Sequence, residues 1–445
     1  MISSRYLHVL RRGGRGRVLN LMTGDVLDVP AGLMRAVRGG RGAFRLRALR
    51  PAEREELRRR DVLFDDAAAE RRALERHLRR QLRPGKRLNL NLTLTYFCNL
   101  RCRYCAQKRL LDVREFMDEA TARRVVRWTG RALDRLGSRL LKVTFYGGEP
   151  LLARRVLLWL ASGLRALCAR RGVRYRYDMF TNGTLLSERA VADLDAAGVR
   201  TLVVTLDGAR AVHDARRPFK SGRGSHDLVV AGLRRAVARG FDVTVATNLD
   251  AQRPAEIESF LRGLRSRGIA GRVRFAFGRT MLSGDNADYF GRSGMSSDRD
   301  FLRRWTAAMA VLRRLGLNST GNPARLLNYG VCDFWDPASY IVMPDGSVTK
   351  CLANLRRPEQ VLGHVARGRP RATYDRRLAA RAPLELFAPR CRRCRFLPHC
   401  FGGCVAEARV LGRYPGRPYC QRPLVRRGLD WMLARGEGIE RPVET

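Results

Sequence analysis

A regular alternation of apolar and polar residues begins near residue 88. Leucines alternate with asparagine and threonine from Leu88 to Thr95, and this two-residue period predicts a β-strand with one buried face. Strand-like and helix-like segments then take turns as far as residue 280. Further strands are predicted at residues 142–146, 174–180, 200–206, 242–247 and 272–277. Helices are predicted between them, at about 118–137, 152–171, 187–197, 225–239 and 254–267.

Six β/α units in succession predict an α/β fold with a parallel sheet. We expect a partial (β/α)6 TIM-like barrel over residues 88–280. In barrels of this kind the chemistry lies on the loops that follow the strands. Candidate functional residues are therefore sought on those loops.

Residues 1–66 have a different pattern, which predicts a small winged-helix-like module. Three short strands are predicted at residues 6–10, 17–21 and 26–29. Pro30 can occupy the first turn of a helix that runs to about Arg38, where Gly39 and Gly40 end it. A second helix is predicted at residues 51–60.

The remaining segments are less periodic. Residues 67–87 are predicted to be a charged helical linker, and residues 281–330 a connecting region with helices. Residues 331–425 carry clustered cysteines and few long periodic segments, which predicts a small domain held together by metal instead of a large core. Residues 426–445 are assigned to a C-terminal tail.

The chain of 445 residues has a formal net charge of +45. Of its 87 basic residues only five are lysine, and the arginines are spread along the whole chain. An anionic partner would explain this charge, but arginine-biased codon usage over solvated surfaces explains it equally well.

No apolar run approaches the roughly 20 residues needed to span a bilayer, and the N-terminus has no apolar signal core. We therefore expect a cytoplasmic protein without membrane association.

Eleven cysteines are the most informative residues. Disulfides are disfavoured in the cytosol, so clustered cysteines indicate metal binding or catalysis. Cys98, Cys102 and Cys105 follow directly on the first barrel strand. Three thiolates within eight residues can hold an iron–sulfur cube and leave one iron without a protein ligand. Zinc would need a fourth ligand nearby, and no histidine lies within this loop.

The spacing Cys-x3-Cys-x2-Cys, with Tyr104 before the last cysteine, resembles the radical SAM superfamily. Gly147, Gly148, Glu149 and Pro150 follow the second strand and resemble the GGEP motif, which in that family binds the amino group of S-adenosylmethionine (SAM). The glycines would allow a close backbone approach, and Glu149 would supply charge complementarity. The resemblance implies that Cys98, Cys102 and Cys105 hold a catalytic [4Fe–4S] cluster that cleaves SAM. The 5′-deoxyadenosyl radical so formed would abstract hydrogen from a substrate.

Two more segments resemble the family at strand ends. Thr181-Asn182-Gly183-Thr184 follows the third strand and resembles the segment near the ribose of SAM; an ordinary Asn-Gly turn is the alternative. Thr205-Leu206-Asp207-Gly208 followed by His213-Asp214-Ala215-Arg216 resembles the pattern S-L-D-G…H-D-x-x-R. The resemblance makes Asn182, Thr205 and Arg216 cofactor-binding candidates, with Arg216 assigned to the SAM carboxylate. A surface arginine is the alternative for Arg216, and His213 is expected to be structural.

Seven downstream cysteines resemble the SPASM extension of radical SAM enzymes, which carries two auxiliary [4Fe–4S] clusters. They are Cys332, Cys351, Cys391, Cys394, Cys400, Cys404 and Cys420. The resemblance implies one cluster on Cys391, Cys394, Cys400 and Cys420, and another on Cys332, Cys351 and Cys404. The second would be one protein ligand short, which leaves either an open iron or a further side chain as ligand. Cys168 lies among leucines of a helix and is expected to be a buried free thiol.

SPASM proteins mostly modify peptides and proteins, so the resemblance implies a precursor peptide or protein as substrate. The N-terminal module resembles a small leader-peptide recognition domain, which binds an extended peptide as an added strand. A winged-helix module that only packs on the barrel is the alternative. The leading hypothesis is a maturase that installs a thioether or C–C crosslink in a ribosomally made peptide. An electron donor such as flavodoxin or ferredoxin is the second expected partner.

Three other functions are weighed. An anaerobic sulfatase-maturating enzyme that makes formylglycine tends to have Asp directly after the cysteine that closes the first SPASM segment. Here Leu352 follows Cys351, although Asp333 follows Cys332.

An RNA-modifying enzyme would fit the +45 charge, but no RNA-binding fold or aromatic platform is evident, so nucleic acid is not an expected partner. A non-catalytic scaffold is disfavoured by the complete CxxxCxxC and GGEP motifs.

Overall fold

A computed structural model describes residues 1–12, 15–29, 37–38, 43–44, 49–250, 252–292, 298–319, 332–413 and 419–435. The chain divides into two compact units. The first contains the described residues among 1–83, 322–337 and 374–445. The second contains those among 84–321 and 338–373.

The first unit begins with a three-stranded antiparallel sheet in the order β2-β3-β4. These strands are β2 (Leu7–Arg12), β3 (Arg15–Asn20) and β4 (Val26–Val29). Two short pairs accompany them: β1 (Ile2–Ser3) with β7 (Leu63–Phe64), and β5 (Val37–Arg38) with β6 (Ala43–Phe44). The predicted helix from Pro30 to Arg38 is therefore wrong at its end, where β-branched Val37 pairs in a strand. Residues 30–36 and 39–42 of that prediction lie outside the described residues.

Two helices follow in the first unit, α1 (Pro51–Arg59) and α2 (Ala67–Gln81). The charged helical linker predicted over 67–87 is indeed helical, but it packs into a core instead of only linking two domains. The side chain of Asp66 caps α2 by accepting a hydrogen bond from Ala69 N at 2.7 Å. Leu74 and Leu78 are almost fully buried, because apolar residues at three- and four-residue spacing give α2 an inward face.

The second unit contains the barrel, in which six parallel strands lie side by side in chain order. The strands are β8 (Arg87–Thr93), β9 (Leu140–Tyr146), β10 (Arg174–Thr181), β11 (Thr201–Thr205), β12 (Asp242–Asn248) and β13 (Arg274–Gly278). The helices are α3 (Glu119–Leu136), α4 (Arg154–Arg170), α5 (Glu188–Ala196), α6 (Arg210–Arg216), α7 (His226–Ala238) and α8 (Pro254–Ser266). The predicted α/β partial barrel is confirmed. Only α6, one short helix, was not expected.

The barrel sheet continues beyond residue 280. After α9 (Ala287–Arg292) and α10 (Asp298–Arg314), strand β14 (Ser339–Val342) pairs parallel to β8. Strands β15 (Ser347–Thr349) and β16 (Gly363–His364) extend the sheet antiparallel. The predicted C-terminal domain over 331–425 is thus divided, because the apolar β14 is completely buried at the edge of β8. Residues 338–373 belong to the barrel unit.

The first unit is completed by short helices near the C-terminus. They are α11 (Arg376–Arg381), α12 (Pro389–Arg392), α13 (Leu397–Cys400), α14 (Val405–Val410) and α15 (Arg422–Arg435). α15 runs into the predicted tail over 426–445, where Leu429 and Leu433 are fully buried. These helices share one hydrophobic core with the N-terminal residues Leu19 and Leu74. The expected metal-held domain therefore has a substantial core as well.

Single turns of 3₁₀-helix complete the description. They are Lys108–Leu110, Pro150–Ala153, Ala270–Arg272, Leu352–Asn354, Pro358–Gln360 and Pro383–Leu386. The long barrel helices are amphipathic, as in α3, which buries Val125, Trp128 and Ala132 on one side. None of the described helices has both the length and the hydrophobicity needed to cross a bilayer.

Candidate active site

The loop after β8 gathers the first three cysteines. Cys98 and Cys102 are buried and Cys105 is half-buried, and all three pack with Leu100 and Leu111. Cys98 N donates to Leu111 O at 3.2 Å, and Cys105 N donates to Cys102 O at 3.2 Å. Burial raises the pKa of the Cys98 and Cys105 thiols to about 12, and the nearby Cys102 adds to both shifts. The structure thus brings these thiols together as the sequence predicted.

A second segment of the barrel fixes this loop. Arg101 N donates to Pro218 O at 2.8 Å, and Arg103 N donates to Arg216 O at 3.0 Å. Arg216 is the last residue of α6, and Pro218 lies two residues beyond it, in the connection between β11 and α7. The cysteine loop is therefore held between two strand ends of the same sheet.

The thiols fit an iron–sulfur cluster better than a single metal ion. No group of three or more His, Cys, Asp or Glu among the described residues has the geometry of a single-ion site. In a cluster each thiolate ligates a different iron, so the thiols need not converge on one point. Backbone N–H groups already face the sulfurs: Leu100 N lies 3.4 Å from Cys98 Sγ, and Gln107 N lies 3.4 Å from Cys105 Sγ. These donors would stabilise the thiolates that a metal requires.

The two glycines after β9 allow a close approach, but to the chain itself. A Cβ on Gly147 would lie 2.4 Å from Thr95 O, and a Cβ on Gly148 would lie 2.3 Å from Tyr96 O and Phe97 O. Gly148 N donates to Thr95 O at 2.9 Å, and this contact fixes the segment that leads into the cysteine loop. These glycines therefore have a role in backbone packing, and their expected role toward a cofactor stays a prediction.

Glu149 is completely buried, and its carboxylate is used internally. Oε1 accepts from Leu151 N at 3.0 Å and from Thr181 Oγ1 at 2.8 Å, and Oε2 accepts from Asn182 N at 2.7 Å. Burial raises the pKa of Glu149 in spite of these hydrogen bonds. The carboxylate therefore ties β9 to the end of β10, and its adjacent residue Pro150 begins a turn of 3₁₀-helix.

The candidates after β10 and β11 have different surroundings. Asn182 is buried, and its Nδ2 donates to Asn99 Oδ1 at 2.8 Å and approaches Cys98 Sγ at 3.8 Å. Its Oδ1 accepts from Thr184 N at 2.9 Å. Thr205 ends β11 and is half-buried. Asn182 therefore supports the cysteine loop directly.

Arg216, the sequence candidate for the SAM carboxylate, is already neutralised. Its guanidinium lies 2.6 Å from Asp250 Oδ2 and 3.4 Å from Asp207 Oδ2, and both carboxylates are fully buried. Burial alone would raise the pKa of Asp207, but Arg216 and Arg217 hold it below its usual value. The charge of Arg216 is thus satisfied inside the protein, and its assignment to the SAM carboxylate stays a prediction.

Arg217, next to Arg216 in sequence, has an unused hydrogen-bond donor. Its Nη1 donates to Tyr104 Oη at 2.6 Å, whereas its buried Nε has no hydrogen-bond partner among the described residues. Burial would lower the pKa of Arg217, but Cys102, Tyr104 and Asp207 raise it, so the group stays charged. The motif itself could have identified it, since H-D-x-x-R counted from His213 ends on Arg217.

Tyr104 anchors the cysteine loop through its hydroxyl. It donates a short hydrogen bond to Asp207 and accepts one from Asn248 Nδ2 at 3.1 Å. Burial raises its pKa, which keeps the phenol protonated. Its ring lies under the Arg216 guanidinium at 4.8 Å. The residue therefore faces a protein network, and a cofactor role for it remains a prediction.

His213 has the structural role that was expected. Its Nδ1 faces Asp207 N at 3.2 Å and its Nε2 faces Ser225 Oγ at 3.0 Å. Burial, followed by Arg217, lowers its pKa to about 3. The neutral ring holds the segment between β11 and α7 in place.

Four of the downstream cysteines come together in the first unit. Cys391, Cys394 and Cys400 pack on its hydrophobic core. Burial raises the pKa of Cys400 to about 12, and Cys391, Cys394 and Cys420 add to the shift because they are close. This quartet is the set expected for one auxiliary cluster. Cys391 lies in α12, Cys394 in the turn after it, Cys400 at the end of α13 and Cys420 just before α15. Four thiolates are the usual ligands of such a cluster.

The remaining cysteines are divided between the units. Cys332 and Cys404 belong to the first unit and Cys351 to the second. Cys404 Sγ accepts from Glu407 N at 3.5 Å at the start of α14. Cys168 is fully buried in α4 as a free thiol, as the sequence predicted.

A family model described as the Radical SAM superfamily matches residues 92–263, from the end of β8 to the middle of α8. Curated relatives include GTP 3′,8-cyclase of Rhodopirellula baltica, 32% identical over 196 residues, which is 43% of this chain and 48% of that protein. GTP 3′,8-cyclase of Geobacter sulfurreducens is 35% identical over 35% of this chain and 45% of that protein. The chain thus spans about half the length of the curated relatives it matches.

Solved structures show the same fold at low identity. The structure of anSMEcpe with bound AdoMet has a TM-score of 0.58 and 15% identity, over 78% of this chain and 93% of that one. Streptococcus suis SuiB bound to S-adenosylmethionine has a TM-score of 0.53 and 15% identity, over 95% of this chain and 100% of that one. These proteins bind SAM, the cofactor that the cysteine loop predicts. The match identifies a radical SAM domain at residues 92–263 of this chain.

Proposed function

We propose that the protein is a radical SAM peptide maturase in which Cys98, Cys102 and Cys105 hold the SAM-cleaving [4Fe–4S] cluster. The observation that carries the proposal is the gathering of these thiols at the end of β8, beside the unused guanidinium donor of Arg217. When bound, the cluster and SAM supply a 5′-deoxyadenosyl radical that removes hydrogen from the substrate. The protein positions the cofactor and excludes water.

Different side chains around the cysteine loop bind different parts of SAM. Arg217, in place of Arg216, offers its free Nε to the SAM carboxylate. Main-chain groups of Gly147 and Gly148 face the SAM amino group, while the Glu149 carboxylate ties this loop to the end of β10. Thr205 and Asn182 face the ribose side, where Asn182 also steadies Cys98.

A ribosomally made precursor peptide is the proposed substrate, and a thioether or C–C crosslink the proposed product. Two solved structures with this fold contain peptides: SuiB bound to precursor peptide SuiA, and anSMEcpe with the Cp18Cys peptide. In the first unit, β4 pairs only with β3 among the described residues. Its other edge is available for an added peptide strand, which supports leader binding by the N-terminal module.

Two auxiliary clusters complete the proposal. Cys391, Cys394, Cys400 and Cys420 would hold one, and Cys332, Cys351 and Cys404 the other, in a SPASM arrangement. Clusters of this kind are consistent with a cytoplasmic location, where thiols stay reduced. An acidic carrier such as flavodoxin or ferredoxin would supply the electron.

Other substrates are less well supported. Formylglycine formation is disfavoured because Leu352 follows Cys351. The GTP 3′,8-cyclases match less than half of this chain, so GTP is a control substrate and not the proposed one. RNA modification has only the net charge in its favour.

The test is anaerobic reconstitution followed by reduction with dithionite and assay of 5′-deoxyadenosine. We expect about twelve iron atoms for three clusters and formation of deoxyadenosine from SAM. A variant with Cys98→Ala, Cys102→Ala and Cys105→Ala should lose cleavage and keep about eight iron atoms. Deoxyadenosine formation by this variant, or none by the parent protein, contradicts the proposal.

The substrate is tested by mass spectrometry with peptides encoded beside the gene. A loss of two hydrogens in such a peptide is the expected result for a crosslink. A sulfatase peptide and GTP are the matched alternatives in the same assay. Conversion of either one, with the precursor peptide unchanged, reverses the assignment of substrate.

A further inference from the structure

The C-terminal helix α15 presents exposed arginines that form no ion pair within the described part of the chain. Arg422, Arg426 and Arg427 are exposed, and with Pro423 and Asp430 they line a cavity of about 520 Å³. None of the three arginines forms an ion pair within the described part of the chain. Asp430, the acidic residue of the cavity, is engaged by His8 Nε2 at 2.8 Å. Three guanidiniums and one carboxylate therefore line the cavity, which gives it a net positive charge.

The high arginine content of the chain does not account for this arrangement. Other described helices pair their arginines with glutamates one turn away: Arg79 with Glu75 in α2, Arg123 with Glu119 in α3, and Arg262 with Glu258 in α8. Such pairs are the ordinary way to solvate a charged helix face. In α15 the acidic residue one turn after Arg426 is Asp430, which is bound by His8 instead, so Arg426 has no such pair.

The arginine face of α15, defined by Arg422, Arg426 and Arg427, begins beside the cysteine quartet. Cys420 lies two residues before Arg422 and is exposed. Arg422 and Arg395 lie over the same ring, that of Phe396, at 6.0 Å and 4.7 Å from its centroid. Arg395 follows Cys394 directly. The positive surface thus adjoins the place where a cluster on the quartet would come nearest to solvent.

We propose that the arginine face of α15 docks an acidic electron-carrier protein that reduces the cluster held by Cys391, Cys394, Cys400 and Cys420. The inference rests on the proposed function. One electron leaves the reduced carrier, which is oxidised, and enters the cluster, which is reduced; no bond forms or breaks. Carboxylates on the carrier pair with these exposed guanidiniums, as in small, weak electron-transfer interfaces whose association is steered by charge.

The test compares two variants of equal charge change in the reconstituted full-length protein. Arg422→Gln, Arg426→Gln, Arg427→Gln removes the arginine face. The control, Arg72→Gln, Arg76→Gln, Arg80→Gln, removes three exposed arginines from one face of α2. The probe is an acidic flavodoxin, and its Kd and its rate of cluster reduction are measured at low and high salt.

We expect the α15 variant to weaken flavodoxin binding and slow reduction by roughly tenfold at low salt, with the difference vanishing at high salt. The α2 control should bind like the parent protein. Equal losses in both variants would show that only net charge matters, and no loss in either would show that the carrier docks elsewhere; each result overturns the inference. Binding of an RNA oligonucleotide that depends on α15, without flavodoxin binding, also overturns it.

Deoxyadenosine formation with dithionite separates this inference from the proposed function. Both variants should keep that activity, because a small reductant needs no docking surface. If the parent protein cleaves no SAM with dithionite, the proposed function fails, and flavodoxin binding still reports on the surface.

Discussion

Arg216 and Arg217 are adjacent in sequence but have opposite electrostatic surroundings. Arg216 is satisfied by two buried carboxylates, Asp207 and Asp250. Arg217 keeps a buried Nε without a partner among the described residues and points its charge toward Cys102. Substitution of the two should therefore affect different properties.

We expect Arg217→Gln to weaken SAM binding by roughly ten- to a hundredfold, the value of a hydrogen bond to a charged group. Its effect on thermal stability should be the smaller one. Arg216→Gln should instead lower the stability of the protein by about 3–5 kcal/mol, since it leaves two carboxylates buried without their cation. SAM binding by equilibrium dialysis and thermal unfolding measure the two effects, with Arg217→Lys as a variant that retains the charge.

The opposite pattern would contradict this assignment. If Arg216→Gln weakens SAM binding while the melting temperature is unchanged, Arg216 faces the cofactor. The fork of donors in arginine is not reproduced by lysine, so Arg217→Lys should recover only part of the binding.

Residue-level roles were harder to predict than residue identities. The sequence predicted that Gly147 and Gly148 allow the backbone to approach a cofactor closely. In the structure, the atoms that lie close to these two glycines are Thr95 O and Phe97 O of the chain itself. Glu149 was expected to face a cofactor, yet its carboxylate binds Thr181 and Asn182. A sequence motif indicates that only certain residues fit at a position. The structure is needed to identify the neighbouring atoms that impose this restriction.

At the scale of elements, the barrel was predictable because each strand and helix has a clear period. β9 through β13 lie within one or two residues of their predicted bounds. α2 was predicted as a helix but not as part of a core, and α15 was not predicted at all. Both surfaces are rich in arginine, which obscures the buried leucines, Leu74 and Leu78 in α2 and Leu429 and Leu433 in α15. β14 was missed because its pairing with β8 joins residues about 250 apart, and no local pattern records such a contact.

The strand β4 has an open edge whose donors can be identified from the register. Asn20 N donates to Asp25 O at 2.9 Å, and Val18 lies opposite Leu27 in the same ladder. In an antiparallel pair alternate residues point their backbone groups outward. Leu27 therefore bonds to β3, and the N–H groups of Val26 and Asp28 face the open edge.

We expect Asp28→Pro to weaken leader-peptide binding by at least roughly tenfold, because it removes one outward donor and proline is tolerated at a sheet edge. Asp28→Ala is the matched control, since it loses the exposed ion pair with Arg17 but keeps the N–H group. Fluorescence anisotropy with a labelled leader peptide measures both. Equal binding by the two variants would place the leader elsewhere, and circular dichroism checks that the sheet is intact.

At the scale of the whole molecule, the first unit is assembled from both ends of the chain. His77 Nε2 lies 3.0 Å from Pro398 O, and His8 lies 2.8 Å from Asp430. Phe396 and Leu397, beside the cysteine quartet, share a hydrophobic core with Leu19 and Leu74 of the N-terminal strands and helix. A cluster on the quartet would therefore stabilise the proposed leader-binding sheet, although the two are some 370 residues apart in sequence.

The variant Cys391→Ala, Cys394→Ala should accordingly affect more than its own loop. We expect a loss of about four iron atoms and hydrogen exchange at least roughly tenfold faster in β2, β3 and α2, because opening of a shared core exposes all its elements together. Amides of β9 through β12 should keep their protection, since the barrel has a core of its own. Cys168→Ala, which removes a buried thiol of the barrel, is the control and should keep all the iron and the protection of β2 and β3. Faster exchange confined to residues 389–413 would show that the N-terminal sheet is stable without the quartet, and that iron and leader binding are independent.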